Sequence, residues 1–218
     1  MTSSLETGPT RSVRGRRTAR ASGDERERAI MQTAERLLQE RPIGEVSVDA
    51  LARGAGISRS AFYFYFPSKD AVVLALVDRL VEEAELSKEQ VIAQLASDPV
   101  AGWRASLELF YAIFGSHRAL IRAAADLSAV NEDARALWSS IMEGWVADVT
   151  EMIEAERERG VAPAGLPARD LATALVQLNE RALRAIFVEE SPALAEERAI
   201  DTLSHIWLST IYGSPAPR

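Results

Sequence analysis

The sequence predicts an all-α protein of about nine helices: a small N-terminal helix-turn-helix unit followed by a longer helical bundle. Three observations predict it. Apolar residues recur at three- and four-residue spacing along most of the chain, interrupted by helix caps and prolines. No segment shows β alternation flanked by hairpin turns. Near the N-terminus, helices of about 18, 8 and 7 residues follow one another, with a glycine turn between the last two.

Residues 1–21 are rich in Ser, Thr, Gly and Arg without periodicity, and are expected to form a disordered basic arm. Ser22-x-x-Glu25 makes a capping box, with Asp24 and Glu25 at the positive end of a helix. Ile30, Ala34, Leu37, Leu38 and Arg41 continue that helix, and Pro42 ends it. Ser47 caps a second helix with Val48, Leu51 and Ala52 facing inward. Gly54-Ala55-Gly56 forms the turn, Ile57 plugs the core, and Ser58 caps a third helix that Pro67 stops. Phe62, Phe64 and Phe66 alternate with Tyr63 and Tyr65, as in a strand, but no partner strand is visible, so helix is the reading.

Ser68 caps a fourth helix, expected to run through Leu74 and Leu80 to about Leu95. Asp98-Pro99 starts the fifth, which reaches Phe114-Gly115. A short helix lies near His117–Asp126, and a long one runs from Asn131 to Arg159, closed by Gly160. After a loop from Pro163 to Pro167, one helix reaches about Val188; Ser191-Pro192 opens the last, ending at Tyr212-Gly213. The expected domains are a helix-turn-helix unit over 22–68 and a bundle over 69–218.

Composition narrows the function. There is no cysteine and only two histidines, His117 and His205, so thiolate and multi-histidine metal sites are not expected, nor is a cofactor. No apolar run approaches the ~18 residues of a membrane span, and the arginines at the start precede no apolar segment of a secretory signal. A cytoplasmic protein without membrane contact is expected. Gly54-Ala55-Gly56-Ile57-Ser58-Arg59 lacks the last glycine and the preceding strand of a dinucleotide fingerprint. Nothing resembles a nucleophile elbow. The chain is not expected to be an enzyme.

The net charge of −7 argues against nucleic-acid binding, but its distribution argues for it. Residues 1–69 carry 12 basic and 8 acidic side chains, a net +4; the remaining 13 and 24 give residues 70–218 a net −11. Arg11, Arg14, Arg16, Arg17 and Arg20 have no acid among them. A basic head on an acidic body fits a DNA-facing domain joined to one with another task. Within that head, five of the fourteen aromatic residues stand in a row, Phe62 to Phe66, directly after Ser58-Arg59-Ser60.

Val48-x-x-Leu51-Ala52, Ala55-Gly56-Ile57-Ser58, Phe62-Tyr63-x-Tyr65-Phe66 and Pro67-Ser68-Lys69-Asp70-Ala71 resemble the DNA-binding domain of TetR family transcriptional repressors. Gly15 to Arg20, Phe114-Gly115-Ser116-His117, Asn179-Glu180-Arg181 and His205-Ile206-Trp207 extend the similarity to the EthR-like mycobacterial members over almost the whole chain. The resemblance implies that the helix Ser58–Tyr65 enters the major groove of a double-stranded operator. Arg59 is the candidate for a base contact, since a guanidinium can pair bidentately with guanine. Ser58, Ser60 and Tyr63 share or border its face. Tyr65, Ser47 and Lys69 are placed for phosphates, and Arg16 and Arg17 for phosphates or a minor groove. Phe62 and Phe66 face inward, and Phe64 has no assigned role.

In the acidic half, Trp103, Leu107, Phe110 and Phe114 form one helical stripe, and Trp138, Met142, Trp145 and Val149 form another. Ordinary core would explain either stripe alone. Tryptophans, however, fill a bundle poorly and their N–H groups want partners. Asn179 and Glu180 are polar within an apolar stretch, and Trp207 sits late in the last helix. With the tunnel that the resemblance implies, these residues, Val149 apart, line a site for a hydrophobic small-molecule effector. Asp148, Val149, Val176 and Arg184 depart from the EthR-like pattern, which is aromatic, hydroxyl or amide in character at those positions. The apolar faces of the last two helices, including Leu171, Leu178, Ala182, Ile200 and Ile206, predict a homodimer on a palindromic operator. A ligand-responsive repressor follows; a helical ligand-binding or scaffold protein without operator binding is the alternative.

Overall fold

The computed structural model describes residues 14–213, with side chains from Gly23 onward except those of Glu89 and Gln90. Ten α-helices and two short 3-10 turns account for the fold, with no strand among the described residues. The N-terminal unit is α1 (Arg14–Glu40), α2 (Val48–Gly54) and α3 (Arg59–Tyr65). The body comprises α4 (Lys69–Glu85), α5 (Lys88–Ser97), α6 (Pro99–Ser116), α7 (Arg118–Val130), α8 (Glu132–Glu158), α9 (Ala168–Phe187) and α10 (Ala199–Tyr212).

Three boundaries differ from expectation. The Ser22 capping box lies inside α1, whose backbone is helical from Arg14. Arginine and alanine are strong helix formers, and one interior glycine costs only about 1 kcal/mol, too little to stop propagation. Arg11 and the rest of residues 1–13 lie outside the described residues.

The expected fourth helix is two helices, because the chain turns at Leu86 and Ser87. The second piece, α5, folds against α6 at Gly102, where a Cβ would stand 2.4 Å from the Leu95 Cα. Any side chain there would push the pair apart. The last helix starts at Ala199 rather than at Pro192. The intervening segment ends in a 3-10 turn, where Glu196 accepts from both Tyr111 on α6 and Arg118 on α7.

The head is built on self-contained caps. Ser47, Ser58 and Ser68 each accept a hydrogen bond from the backbone N–H three residues on. Gly56 makes the turn at φ +70°, a conformation open to glycine. Phe62, wholly buried, and Phe66 seat α3 on α1, α2 and the start of α4 with Ile30, Leu51 and Val72. Burial of the Phe62 ring contributes about 2–3 kcal/mol.

The head meets the body through α4 and through the packing of α1 against α7. Lys69 Nζ donates to the Ile43 carbonyl at 2.6 Å. Asn131 caps α8, and its side-chain amide donates to Asp70 at 3.3 Å. Deep in the body, Trp103 donates to Tyr212 at 3.0 Å, and Tyr212 donates to the buried Glu156 at 2.7 Å. This relay fastens α6, α10 and α8 together.

Candidate nucleic-acid interface and internal cavities

The short helix α3 presents two kinds of surface. Phe62 and Phe66 point into the head, while Arg59, Ser60, Tyr63 and Phe64 are exposed. Arg59 sits at the first turn of α3, where its guanidinium lies 2.8 Å from Asp49 on α2 and 3.3 Å from the Tyr63 hydroxyl. It also lies over the Tyr63 ring, 5.8 Å from the centroid. Asp49 and then Tyr63 raise the Arg59 pKa further, so the side chain is a permanent cation held at the helix surface. Long donors at one exposed turn, backed by a buried aromatic face, can reach the floor of a groove.

The other sequence-predicted DNA residues divide. The Ser58 and Ser47 hydroxyls are engaged as caps, and Ser58 Oγ also lies 2.9 Å from Ser60 Oγ. Accepting a cap bond leaves a hydroxyl its own proton to donate. Tyr65 is half-buried against the core. Lys69 is turned onto the Ile43 carbonyl rather than held out freely. The side chains of Arg16 and Arg17 lie outside the described residues, although their backbone belongs to α1. Phe64 is 84% exposed, the most open aromatic on α3.

In the body, a pocket open to solvent lies between α4, α5, α6, α8, α9 and α10, with about 820 Å³ of empty space counting its open mouth. Leu107, Phe110, Trp145, Asn179, Glu180 and Trp207 line it, as do Asp148 and Val176. Phe114 and Trp138 line a smaller neighbouring pocket that shares Phe110 and Glu180 with it. Phe110 stacks on Phe114 at 4.2 Å between centroids, and Trp145 stands edge-on to both. Trp103 and Met142 touch neither cavity. Trp103 packs behind Trp207 at 5.2 Å, its N–H spent on Tyr212.

Sequence periodicity missed Ser106, Leu109 and Met152, which flank the aromatic stripes, and Lys88 and Val91 on α5. Lys88 closes one side by pairing with Asp148, sixty positions away. Burial works against the Lys88 charge, but the hydrogen bond and the charge of Asp148 outweigh it and raise the pKa. The two charged residues among the four departures therefore do not pair with each other: Asp148 takes Lys88, and Arg184 lies against Glu180 at 3.0 Å. Asn179 Oδ1 and Trp207 Nε1 are buried in the lining without a protein partner. Paired donor and acceptor groups in an aromatic wall can orient a polar group on an otherwise apolar molecule.

Comparison with known proteins agrees with both halves. Residues 30–76 match the family described as bacterial regulatory proteins, tetR family. Residues 103–213 match the one described as transcriptional regulator EthR, C-terminal domain. The chain is 51% identical over 201 residues to the HTH-type transcriptional regulator EthR of Mycobacterium tuberculosis, covering 92% of this chain and 93% of that one. It is 47% identical over 205 residues to the regulator of the same name from Mycolicibacterium smegmatis, covering 94% of each. Among solved structures, a TetR transcription regulator from Haloarcula marismortui matches with a TM-score of 0.69 at 19% identity, over 86% of this chain and 97% of that one. Thermus thermophilus FadR, a TetR family repressor in complex with lauroyl-CoA, matches at 0.63 and 20% identity, over 88% and 99%. At such identities the two solved structures bear on the fold alone.

Proposed function

We infer the activity from one premise: the chain belongs to the TetR family of bacterial regulatory proteins and carries an EthR-type C-terminal domain. It is a transcriptional regulator that represses from a palindromic operator as a dimer and is released when a hydrophobic small molecule enters the body. The observation that carries this reading is the reach of α4. At its first turn α4 holds the Ser68 cap that follows the recognition helix; at its last turn Ala84 and Glu85 line the larger cavity. Seventeen helical residues span about 25 Å, so one rigid element touches both sites.

Repression then follows from distances. Two copies place two α3 helices in successive major grooves about 34–36 Å apart, with Arg59 reading bases and the serine hydroxyls meeting phosphates. Partly exposed apolar residues on the last two helices, Leu178 among them at 40% exposure, supply the contact between copies. A ligand that wedges between α4, α5 and α8 favours a body in which α4 is tilted, and the spacing no longer fits. Only a difference in ligand affinity between the two arrangements can drive this, and couplings are typically about 1–3 kcal/mol.

The test is protection of DNA flanking the protein's own gene, with and without a saturating apolar ligand that quenches tryptophan fluorescence. Protection of an inverted repeat, lost on adding the ligand, is the expected result. No protected repeat at low salt, or protection indifferent to every quenching ligand, overturns the reading.

A further inference from the structure

A third pocket, itself partly open to solvent, lies beside the other two between α7, α8 and α9. It shares Ile121, Trp138, Glu180 and Arg184 with the small middle pocket, which in turn shares Phe110 and Glu180 with the first one. Glu180 is therefore on the wall of all three, and Arg184 on the wall of the second and third. The remaining wall of the third pocket is apolar except for Ser128, whose hydroxyl is bonded to the Ala124 carbonyl. A charged pair on such a wall is costly unless it is well satisfied.

This pair is not well satisfied. Arg184 Nε lies 3.0 Å from Glu180 Oε1, yet it is a buried nitrogen without hydrogen-bond alignment to any partner. The side chains are 33% and 16% exposed, respectively. The other charges nearby are engaged elsewhere: Arg181 pairs with Glu190, and Asp148 pairs with Lys88 at the open mouth. Arg184 thus faces the second and third pockets with a guanidinium that its neighbour only partly neutralises.

We propose that the effector is an amphiphile with a carboxylate head, which docks on Arg184 between the second and third pockets while its hydrocarbon chain runs past Trp138 and Phe110 into the first. The proposal rests on the ligand-sensing reading above and adds the effector's chemical class. A guanidinium offers two parallel N–H groups that match a carboxylate. Burial pushes the Glu180 carboxyl up, against the opposing pull of Arg184 and Arg181. A second carboxylate beside Glu180 would push in the same direction as burial, which favours proton uptake on binding over the burial of two like charges. An amine head would have to displace Arg184 from Glu180, leaving a guanidinium alone on an apolar wall. An uncharged head gains nothing from the pair.

The test compares dodecanoate, dodecanol and dodecylamine, each below its micellar concentration, binding to the full chain by calorimetry and tryptophan fluorescence. Dodecanoate is expected to bind about 10- to 100-fold more tightly than dodecanol, the size of one charge-assisted hydrogen bond. In Arg184→Gln that preference falls to about twofold or less, while dodecanol binds as before; a preference of this order needs no charge. Glu180→Gln, which keeps the guanidinium, retains or strengthens the preference and serves if Arg184→Gln does not fold. Equal affinities in the wild type, a preference for the amine, or a carboxylate preference that survives Arg184→Gln overturns the proposal. Should dodecanol bind and release operator DNA without any advantage for dodecanoate, only this inference fails. Should no amphiphile bind, the sensor reading falls with it.

Discussion

The head and the body solve the same problem differently. In the head, each cap hydroxyl closes its own helix within three residues, and Lys69 and Asp70 fasten the domain to fixed acceptors and donors. In the body, polar atoms are stranded: Arg157 Nε, Asn179 Oδ1, Arg184 Nε, Ser204 Oγ and Trp207 Nε1 are buried without an aligned hydrogen bond. All five lie between residues 157 and 207; among the described residues, the head has none. A buried polar group without a partner costs about 1–3 kcal/mol. The contrast teaches that the head is complete before it meets DNA, whereas the body carries unmet hydrogen-bonding capacity around its cavities. A reader of fixed spacing should be rigid, and a sensor should gain from what it binds.

The sharpest way to test the head's completeness is to remove its keystone. Phe62→Ala empties a wholly buried position and should destabilise the head by about 3–5 kcal/mol. All four tryptophans, Trp103, Trp138, Trp145 and Trp207, belong to the body, so their fluorescence reports it separately. In urea, circular dichroism should show helix lost well before the tryptophan signal changes. Coincident transitions would mean that the two regions form one cooperative unit, and the comparison would break.

Next in size is Arg59→Ala. Loss of one bidentate base contact should weaken operator binding about 10- to 100-fold and relax preference at that base pair. The melting temperature should barely move, because the Arg59–Asp49 pair is more than half exposed on both sides. A large stability loss would assign Arg59 to architecture instead.

Much of this was legible in the sequence, for physical reasons that also explain what was not. Caps and stops are local: Ser47, Ser58, Ser68, Asp98 and Asn131 each begin a helix where the chain said they would. Helical stripes are nearly as local, so periodicity alone turns Leu107 and Phe110 on one helix and Trp145 on another toward the interior, where they line the pocket. The break between α4 and α5 was hidden because the apolar spacing runs on through Leu86, while the cause is the close approach of Leu95 to Gly102. The late start of α10 was hidden because Glu196 is held by Tyr111 and Arg118, 85 and 78 positions away. The stripe and the tunnel that the resemblance implies both put Trp103 in the lining, where the structure does not place it. Its partner, Tyr212, is 109 residues distant, and nothing local distinguishes a tryptophan that faces a void from one that faces a hydroxyl.

The body's stranded atoms make a prediction of the opposite sign to most core substitutions. Asn179→Leu replaces a buried amide whose carbonyl has no partner by an apolar group of similar volume. Stability should rise or hold, by up to about 1 kcal/mol, and the change is read from the urea midpoint. A loss above about 2 kcal/mol would show that the amide was satisfied after all, and the contrast between head and body would narrow.

The smallest effect concerns pH and isolates Glu180. Burial raises its pKa from the ordinary 4.5, with Arg184 and Arg181 pulling the other way. The folded chain thus binds this proton more tightly than the unfolded chain does. Its contribution to stability must therefore rise as pH falls through the raised value and level off below 4.5. Glu190 and Glu196 have lowered values, through hydrogen bonds from Arg181 to the first and from Arg118 and Tyr111 to the second. Their stabilising contributions are complete above 4.5 and fade as pH drops through their lowered values. Glu180→Gln should flatten the rise in melting temperature above pH 4.5, a change of about 2 °C, and leave the fall below it intact. A residual rise must remain, because burial and then Glu82 also raise Asp78 on α4. If the whole profile above pH 4.5 survives the substitution, Glu180 is not the strained carboxylate, and the stranded character of the body must be traced to the unbonded atoms of Arg157, Asn179, Arg184, Ser204 and Trp207.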